Sequence, residues 1–377
     1  MKKLAFATLA FFVSFSSSYA ADPPQKLAFL FAVPQSSCPD EYECGNGQAA
    51  FETFLLVIDG DQMKVAVRTP HLYFPRKSGF WEVGILPPKI SDGQQNSGTN
   101  SPSWDDWKLW AAPVGQKPAL TPAHEKTEKT ETSEEGKETE QTGGVRYFTI
   151  SLVGSDYLSF TDYFESYAGD LSYVTAPMIL PIDDVAKQAY SEFSSIQPWT
   201  PPLSPEQYQS DLERCASAEV EEPGYSREAL ETGSQGWRII RGRMRWDFEW
   251  SLNHATGAAR GYNAVCTTSL RPPSSLIGAD SVKLAWNQIL PRVPDVQTAF
   301  SSPDGSVLLV FTKSQILAFR PAEGTLSKPF ARLNYDPHRI LMSQWAVGKY
   351  ANNWAQILSQ AKSWTELSPS VRADSHH

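Results

Sequence analysis

The stretch Ile239-Ile240-Arg241-Gly242-Arg243-Met244-Arg245-Trp246-Asp247-Phe248-Glu249-Trp250 decides how the rest of the chain is read. Taken as one strand, it puts Ile240, Gly242, Met244, Trp246, Phe248 and Trp250 on one face and Arg241, Arg243, Arg245, Asp247 and Glu249 on the other, because successive strand side chains point to opposite sides. One face is then core and the other meets water, as in an antiparallel sheet with a single buried side. Gly261–Ser269 is the natural antiparallel partner, and it brings Cys266 into the same sheet.

Upstream, Ser204 as N-cap, Pro205 at the first helical position and Gln207 three residues after the cap predict a helix over 205–218 carrying Cys215. Before it, Gln197-Pro198-Trp199-Thr200-Pro201-Pro202 marks a proline-rich joint at 197–204, separating residues 21–196 from 205–377. The N-terminal part reads as β-rich. Leu27–Val33 is a short apolar strand; Phe51–Ile58, Asp59-Gly60-Asp61 and Met63–Thr69 form a hairpin; Arg76-Lys77-Ser78-Gly79 turns the chain into Phe80–Leu86. Val145–Val153, Tyr157–Phe164 and Leu171–Leu180 carry the Tyr, Phe, Ile and Val of strands, and Val185–Phe193 carries a helical pattern.

Between these halves of the first domain lies an acidic insertion, around 91–144. Its segment His124–Gln141 holds seven Glu and three Lys and no large apolar residue, too little to offset the entropy of ordering it. Just upstream, Trp104, Trp107 and Trp110 recur at the spacing of one helical face, which predicts a short helix docked by its indoles.

In the C-terminal part, Asp280 caps a predicted helix over Ser281–Leu290, and Pro303-Asp304-Gly305 opens a hairpin of Val307–Phe311 and Ile316–Phe319. Asp336 and Pro337 start a long amphipathic helix through Ile340, Val347, Tyr350, Trp354, Ile357, Leu358 and Ala361. The expected fold class is α+β, predominantly antiparallel sheets with a few helices, among them this long C-terminal one. Ser302-Pro303-Asp304-Gly305 before an apolar strand resembles a strand opening in the six-bladed propellers of the TolB type; it occurs once, and no period of 20–50 residues repeats. Tyr157–Gly169, with Leu180-Pro181 downstream, is similar to a stretch of the uncharacterised outer domain of lysozyme-sensing anti-sigma factors.

Met1–Ala20 has Lys2 and Lys3, the apolar run Leu4–Phe15, and small residues before a cut after Ala20, the pattern of a secretory signal peptide over residues 1–20. A periplasmic or secreted bacterial protein follows, with no transmembrane helix in the mature chain. The formal charge of −9, from 33 basic and 42 acidic residues, falls to −11 when Lys2 and Lys3 leave, and this disfavours nucleic acid as a partner. Cys38, Cys44, Cys215 and Cys266 enter an oxidising compartment as an even set; the short loop 38–44 favours a local disulfide, leaving Cys215 with Cys266.

Catalytic patterns are sparse. Thr232-Gly233-Ser234-Gln235-Gly236 has Thr where a nucleophile elbow needs Gly, and reads as a loop. Ser359-Gln360-Ala361-Lys362 has the Ser-x-x-Lys spacing of penicillin-recognising enzymes without their companion motifs. His71, His124, His254 and His338 are not spaced as ligands on one element, so no metal or cofactor is expected; His71, beside Tyr73, is the one in an aromatic setting. Twelve Trp, fourteen Tyr and nineteen Phe favour binding instead. The sharpest candidate is Arg241, Arg243 and Arg245, about 7 Å apart along one strand face and flanked by Trp237, a row suited to an anionic glycan or lipid head group. The chain is thus expected to be an exported envelope protein, a non-catalytic module binding a glycan, lipid head group or protein. The alternative is a secreted hydrolase of an envelope polymer, its His and carboxylates converging only in the fold.

Overall fold

The computed structural model describes residues 25–34, 51–86, 108–120, 144–166, 172–174, 177–191, 195–204, 206–207, 209–211, 213–214, 234–254, 262–278, 282–322, 325–335 and 339–367. The leader, the acidic segment 124–141, Cys38, Cys44, Cys215, Trp104, Trp107, Asp280 and the Asp336-Pro337 start signal lie outside them. Antiparallel sheet dominates and helices are few, as the fold class requires.

Sheet I runs β18 (Met342–Val347), β1 (Leu27–Pro34), β2 (Phe51–Asp59), β3 (Gln62–Thr69). Strand β1 is buried on both sides. Ala28, Leu30 and Ala32 enter one core, while Leu27, Phe29, Phe31 and Val33 enter another. Such a strand needs a continuous apolar run, and this explains why its sequence does not alternate. Gly60, at φ 56°, makes the β2–β3 turn.

Sheet II is β4 (Leu72–Arg76), β5 (Gly79–Leu86), β6 (Lys108–Pro113), and sheet III is β7 (Gly144–Val153), β8 (Tyr157–Ser166), β10 (Met178–Pro181), with β9 (Ser172–Val174) also on β8. Trp110 therefore sits in a strand, not on the helix its spacing predicted; its indole is buried against Gly84, where an added Cβ would lie 2.5 Å from the ring. The helical pattern at 185–193 shortens to α1 (Ile182–Lys187), and Leu171–Leu180 divides into β9 and β10.

Sheet IV corrects the opening stretch. It is not one strand but β11 (Ser234–Arg241) and β12 (Trp246–His254), joined through a turn at Gly242–Arg245 in which the Gly242 amide donates to the Arg245 carbonyl. β13 (Tyr262–Thr267) pairs with β12 as expected, with Cys266 opposite Trp250. The register sets Trp237 opposite Trp250, Ile239 opposite Phe248 and Arg241 opposite Trp246. Ile239, not Ile240, is the core residue, and Arg241 shares its face. Ser234 to Gly236, expected in a loop, open β11.

Sheet V is β14 (Val296–Ser301), β15 (Leu308–Thr312), β16 (Gln315–Phe319), β17 (Ala331–Asn334). Ser302 accepts from the Val307 amide and donates to Asp304, which also accepts from the Ser306 amide, so the predicted turn forms. Burial works to raise the Asp304 pKa, but these hydrogen bonds outweigh it and hold the carboxyl below its usual range. Ser204 and Gln207 form the expected capping box, with helical residues between 206 and 214. Two short helices, α2 (Ser274–Ile277) and α3 (Trp286–Ile289), follow, the second replacing the longer helix predicted over 281–290.

The long C-terminal helix is half strand. Met342–Val347 pairs with β1, and α4 (Lys349–Gln360) begins only after Gly348, whose φ of 60° and ψ of −124° suit glycine. Gly348→Ala is expected to cost about 1–3 kcal/mol, the strain of such a backbone, read from chemical denaturation.

The sheets pack in a closed cycle. Thr53 of sheet I donates to the His71 carbonyl and accepts from the Tyr73 amide of sheet II. Arg76 of sheet II reaches Asp156 and Asp183 beside sheet III. The Ile239 amide of sheet IV donates to Ser159 of sheet III. Arg241 of sheet IV reaches Thr298 and the Ala299 carbonyl of sheet V. Phe29 of sheet I packs on Phe300 and Phe311 of sheet V. The last described strand, β18, pairs with the first, β1, which closes the cycle. Contacts thus cross the joint at 197–204 repeatedly: β18 lies in the sheet that opens the chain, and Trp199 of the joint stacks on Phe248.

Candidate functional site

One face of sheet II carries more chemistry than any other described surface. Leu72, Phe74, Val83, Leu109 and Ala111 turn into the core. Tyr73 opposite Glu82 and Gly84 opposite Trp110 line the reverse face, with His71 immediately ahead of β4. The chain leaving α4 runs on into α5 (Trp364–Leu367) and contacts this face through Ser363, Trp364 and Glu366.

There the Ser363 hydroxyl donates to Glu82 Oε1 at 2.6 Å. His71 Nδ1 lies 3.3 Å from the same oxygen, and its Nε2 lies 2.9 Å from Glu366 Oε1. The imidazole stacks on Tyr73, 5.5 Å between centroids, and Trp364 meets Trp110 edge to face at 6.2 Å. Glu82 and Ser363 are buried, while Glu366 is 39 % exposed.

A histidine with a carboxylate at each nitrogen favours the imidazolium. Burial works to lower the His71 pKa, but the hydrogen bonds and charges of Glu82 and Glu366 outweigh it and raise it above its ordinary value. Burial, then the two carboxylates, push the Tyr73 phenol up. The Tyr73 hydroxyl and the Trp110 indole N–H, both buried, have no hydrogen-bond partner among the described residues. Each such donor costs about 1–3 kcal/mol.

A general base needs a free imidazole nitrogen, and both of His71's face carboxylates. The Ser363 hydroxyl gives its proton to Glu82, whose same oxygen also faces His71 Nδ1. Among the described residues no group of three His, Cys, Asp or Glu could hold a metal ion.

The predicted arginine row is dispersed by the turn between β11 and β12. Arg241 points along the core face, its guanidinium 4.1 Å from the Phe300 ring centroid. Arg245 pairs with Asp247, and Arg243 is exposed at the turn, 6.0 Å from the Trp286 ring centroid. Trp237 is buried and stacked on Trp250. Ser359 donates to the Gln356 carbonyl of its own helix. His124, His338 and the side chains of His254 and Cys266 lie outside the described residues.

Sequence reasoning noticed His71 beside Tyr73 but missed its partners, since Glu366 is 295 positions away. One signal was available. Glu82 is the only charged residue in the apolar strand Phe80–Leu86, and a buried carboxylate requires a partner.

No family model matches the chain, and no curated protein matches it. Among solved structures, TolB from Acinetobacter baumannii aligns with 85 % of this chain and 66 % of its own at 10 % identity, with a TM-score of 0.18. This chain therefore spans just under two thirds of that TolB chain. A structure described as the eukaryotic initiation factor aligns with 85 % of this chain and 98 % of its own at 9 % identity, with a TM-score of 0.20. Scores this low carry no argument about fold or function. Among the described residues no helix is long and apolar enough to cross a membrane.

Proposed function

We propose that the chain is an exported bacterial envelope protein that works by binding, a non-catalytic ligand-binding or protein-interaction module of the periplasm or cell exterior. The observation that carries this reading is the self-contained wiring of the His71 cluster, in which imidazole and hydroxyl are both committed to carboxylates. The leader pattern and the wealth of aromatic rings support it, and so does a set of cysteines suited to the disulfides 38–44 and 215–266, which peptide mapping without reductant tests.

Of the arginine group, Arg243 at the sheet IV turn, with Trp286 beside it, presents a cation and a ring to an anionic glycan or lipid head group. The test is co-sedimentation of the mature protein with peptidoglycan sacculi, lipopolysaccharide and anionic vesicles. Saturable binding is expected, weakened on the order of tenfold by Arg243→Glu, about 1.4 kcal/mol. Unchanged binding by the variant would remove Arg243 from the site. The convergence of His71 with two carboxylates is the one observation that favours the hydrolase alternative. Release of soluble fragments from the polymer, abolished by His71→Gln, would put that reading first.

A further inference from the structure

We propose that the sheet II face bearing His71, Tyr73, Glu82 and Trp110 is a binding site for a peptide segment with a tryptophan and an acidic residue two positions apart, and that the chain's own Ser363-Trp364-Thr365-Glu366 occupies it in the closed form. This rests on the binding reading above and names one site and one partner class for it.

The chain's own segment displays the recognition chemistry. Trp364 lies on Trp110, Glu366 meets His71 Nε2, and Ser363 meets Glu82. An indole, a carboxylate and a hydroxyl thus each have a counterpart on the sheet. The fit is incomplete, however. The Tyr73 hydroxyl and Trp110 N–H, both buried at this face, have no hydrogen-bond partner among the described residues. A partner peptide that supplies two acceptors there, through its carbonyls or a second carboxylate, satisfies what the internal segment leaves unpaired and can displace it.

His71 sets the balance. The titratable groups facing it are Glu82 from β5, Glu366 from α5 and Tyr73 from β4, which His71 immediately precedes. With the folded pKa above the ordinary value, the bridge between the two carboxylates is complete below about pH 6.5 and is lost as the pH rises through the folded value. Above that, Glu366 faces a neutral ring and the internal segment is held less tightly.

The experiment uses the full chain and a labelled synthetic peptide of residues 361–367 as the probe. In Trp364→Ala/Glu366→Gln, whose own segment lacks both anchors, the peptide is expected to bind saturably at pH 6, at least tenfold tighter than to the wild type. Glu82→Gln and His71→Gln placed in that background should each weaken it. No binding by the folded double variant, or equal binding by wild type, double variant and Glu82→Gln, overturns the proposal. Self-association of the double variant with wild type in place of peptide binding also overturns it, because the occupant is then a second copy. Amide exchange of residues 363–367 in the wild type gives an independent reading. Protection that falls between pH 6 and 9 beyond the intrinsic rate change, and does so less in His71→Gln, supports the latch; protection unchanged across that range overturns it. Loss of peptide binding with envelope co-sedimentation intact would sink this site alone, whereas loss of both would sink the binding reading itself.

Discussion

Phe29→Ala is expected to lower the stability of the folded chain by about 3–5 kcal/mol, a large part of what holds an ordinary domain together. Phe29 is wholly buried in β1. Its ring stands 5.1 Å from Phe300, 6.2 Å from Phe311 and 4.7 Å from Trp345, counted between centroids. Three polypeptide regions therefore meet on one side chain: the first strand, the hairpin of sheet V and the closing strand β18. Neighbours fixed in two sheets have little freedom to collapse into the space left behind, so the cavity cost adds fully to the lost transfer energy. Phe311→Ala should cost a similar amount, and the double variant less than the two together, with a coupling of about 0.5–3 kcal/mol because the rings touch. Val65→Ala, on the exposed side of β3, serves as the control and should stay within about 0.5 kcal/mol. Denaturant midpoints at constant slope measure all four. A loss for Phe29→Ala no greater than the control's would mean that Phe29 does not join sheets I and V.

Hairpins were readable in the sequence wherever a turn announced itself. Asp59-Gly60-Asp61 and Ser302-Pro303-Asp304-Gly305 each carry a glycine at positive φ; the first joins the two strands expected of it, and the second leads into the expected β15–β16 hairpin while also joining β15 to β14, a strand the sequence reading did not anticipate. The stretch at 239–250 misled because its turn, Gly242-Arg243-Met244-Arg245, is flanked by apolar residues of both parities. With Ile239 and Ile240 adjacent, either can be taken as the inward residue. Choosing Ile240 carries an unbroken alternation through a turn that in fact reverses the chain. The C-terminal pattern failed for a different reason: Ile340 and Val347 have a helical spacing, and only the pairing of β18 with β1, from far earlier in the chain, makes 342–347 a strand.

The cycle of sheets was beyond local reading. A cycle of sheets is easiest to read when its units repeat, and here each sheet has its own sequence and its own device for joining the next: an arginine fork at Arg76, a serine hydroxyl at Ser159, an aromatic cluster at Phe29. The local β4–β5 hairpin sets Glu82 opposite Tyr73, but the His71 cluster was still illegible, because Ser363 and Glu366 reach it only through the packing of residues 363–366 on sheet II.

Arg241 is where the sequence reading and the structure lead to opposite experiments. As a member of an exposed binding row, it would tolerate Lys, which keeps the charge, and its loss would touch binding alone. In the structure its Nε donates to Thr298 Oγ1 at 2.9 Å and its Nη2 to the Ala299 carbonyl at 2.7 Å, with the guanidinium over Phe300 and near Trp246. A planar fork can serve two acceptors while lying on a ring, and an ammonium cannot. Arg241→Met keeps the packing of the stem but leaves those acceptors unserved between sheets IV and V, and should cost about 2–4 kcal/mol, given the weight of hydrogen bonds to charged groups. Arg241→Lys should recover less than half of that. Equilibrium unfolding monitored by tryptophan fluorescence, which reports on Trp246 and Trp250 in the same sheet, measures both variants. If Arg241→Lys were as stable as the wild type while losing affinity for anionic envelope fractions, Arg241 would belong to a binding surface after all. The joint between sheets IV and V would then have to be carried by apolar packing, through the cluster of Ile239, Trp246 and Phe248 with Phe300 and Phe311 and through Met244 on sheet V.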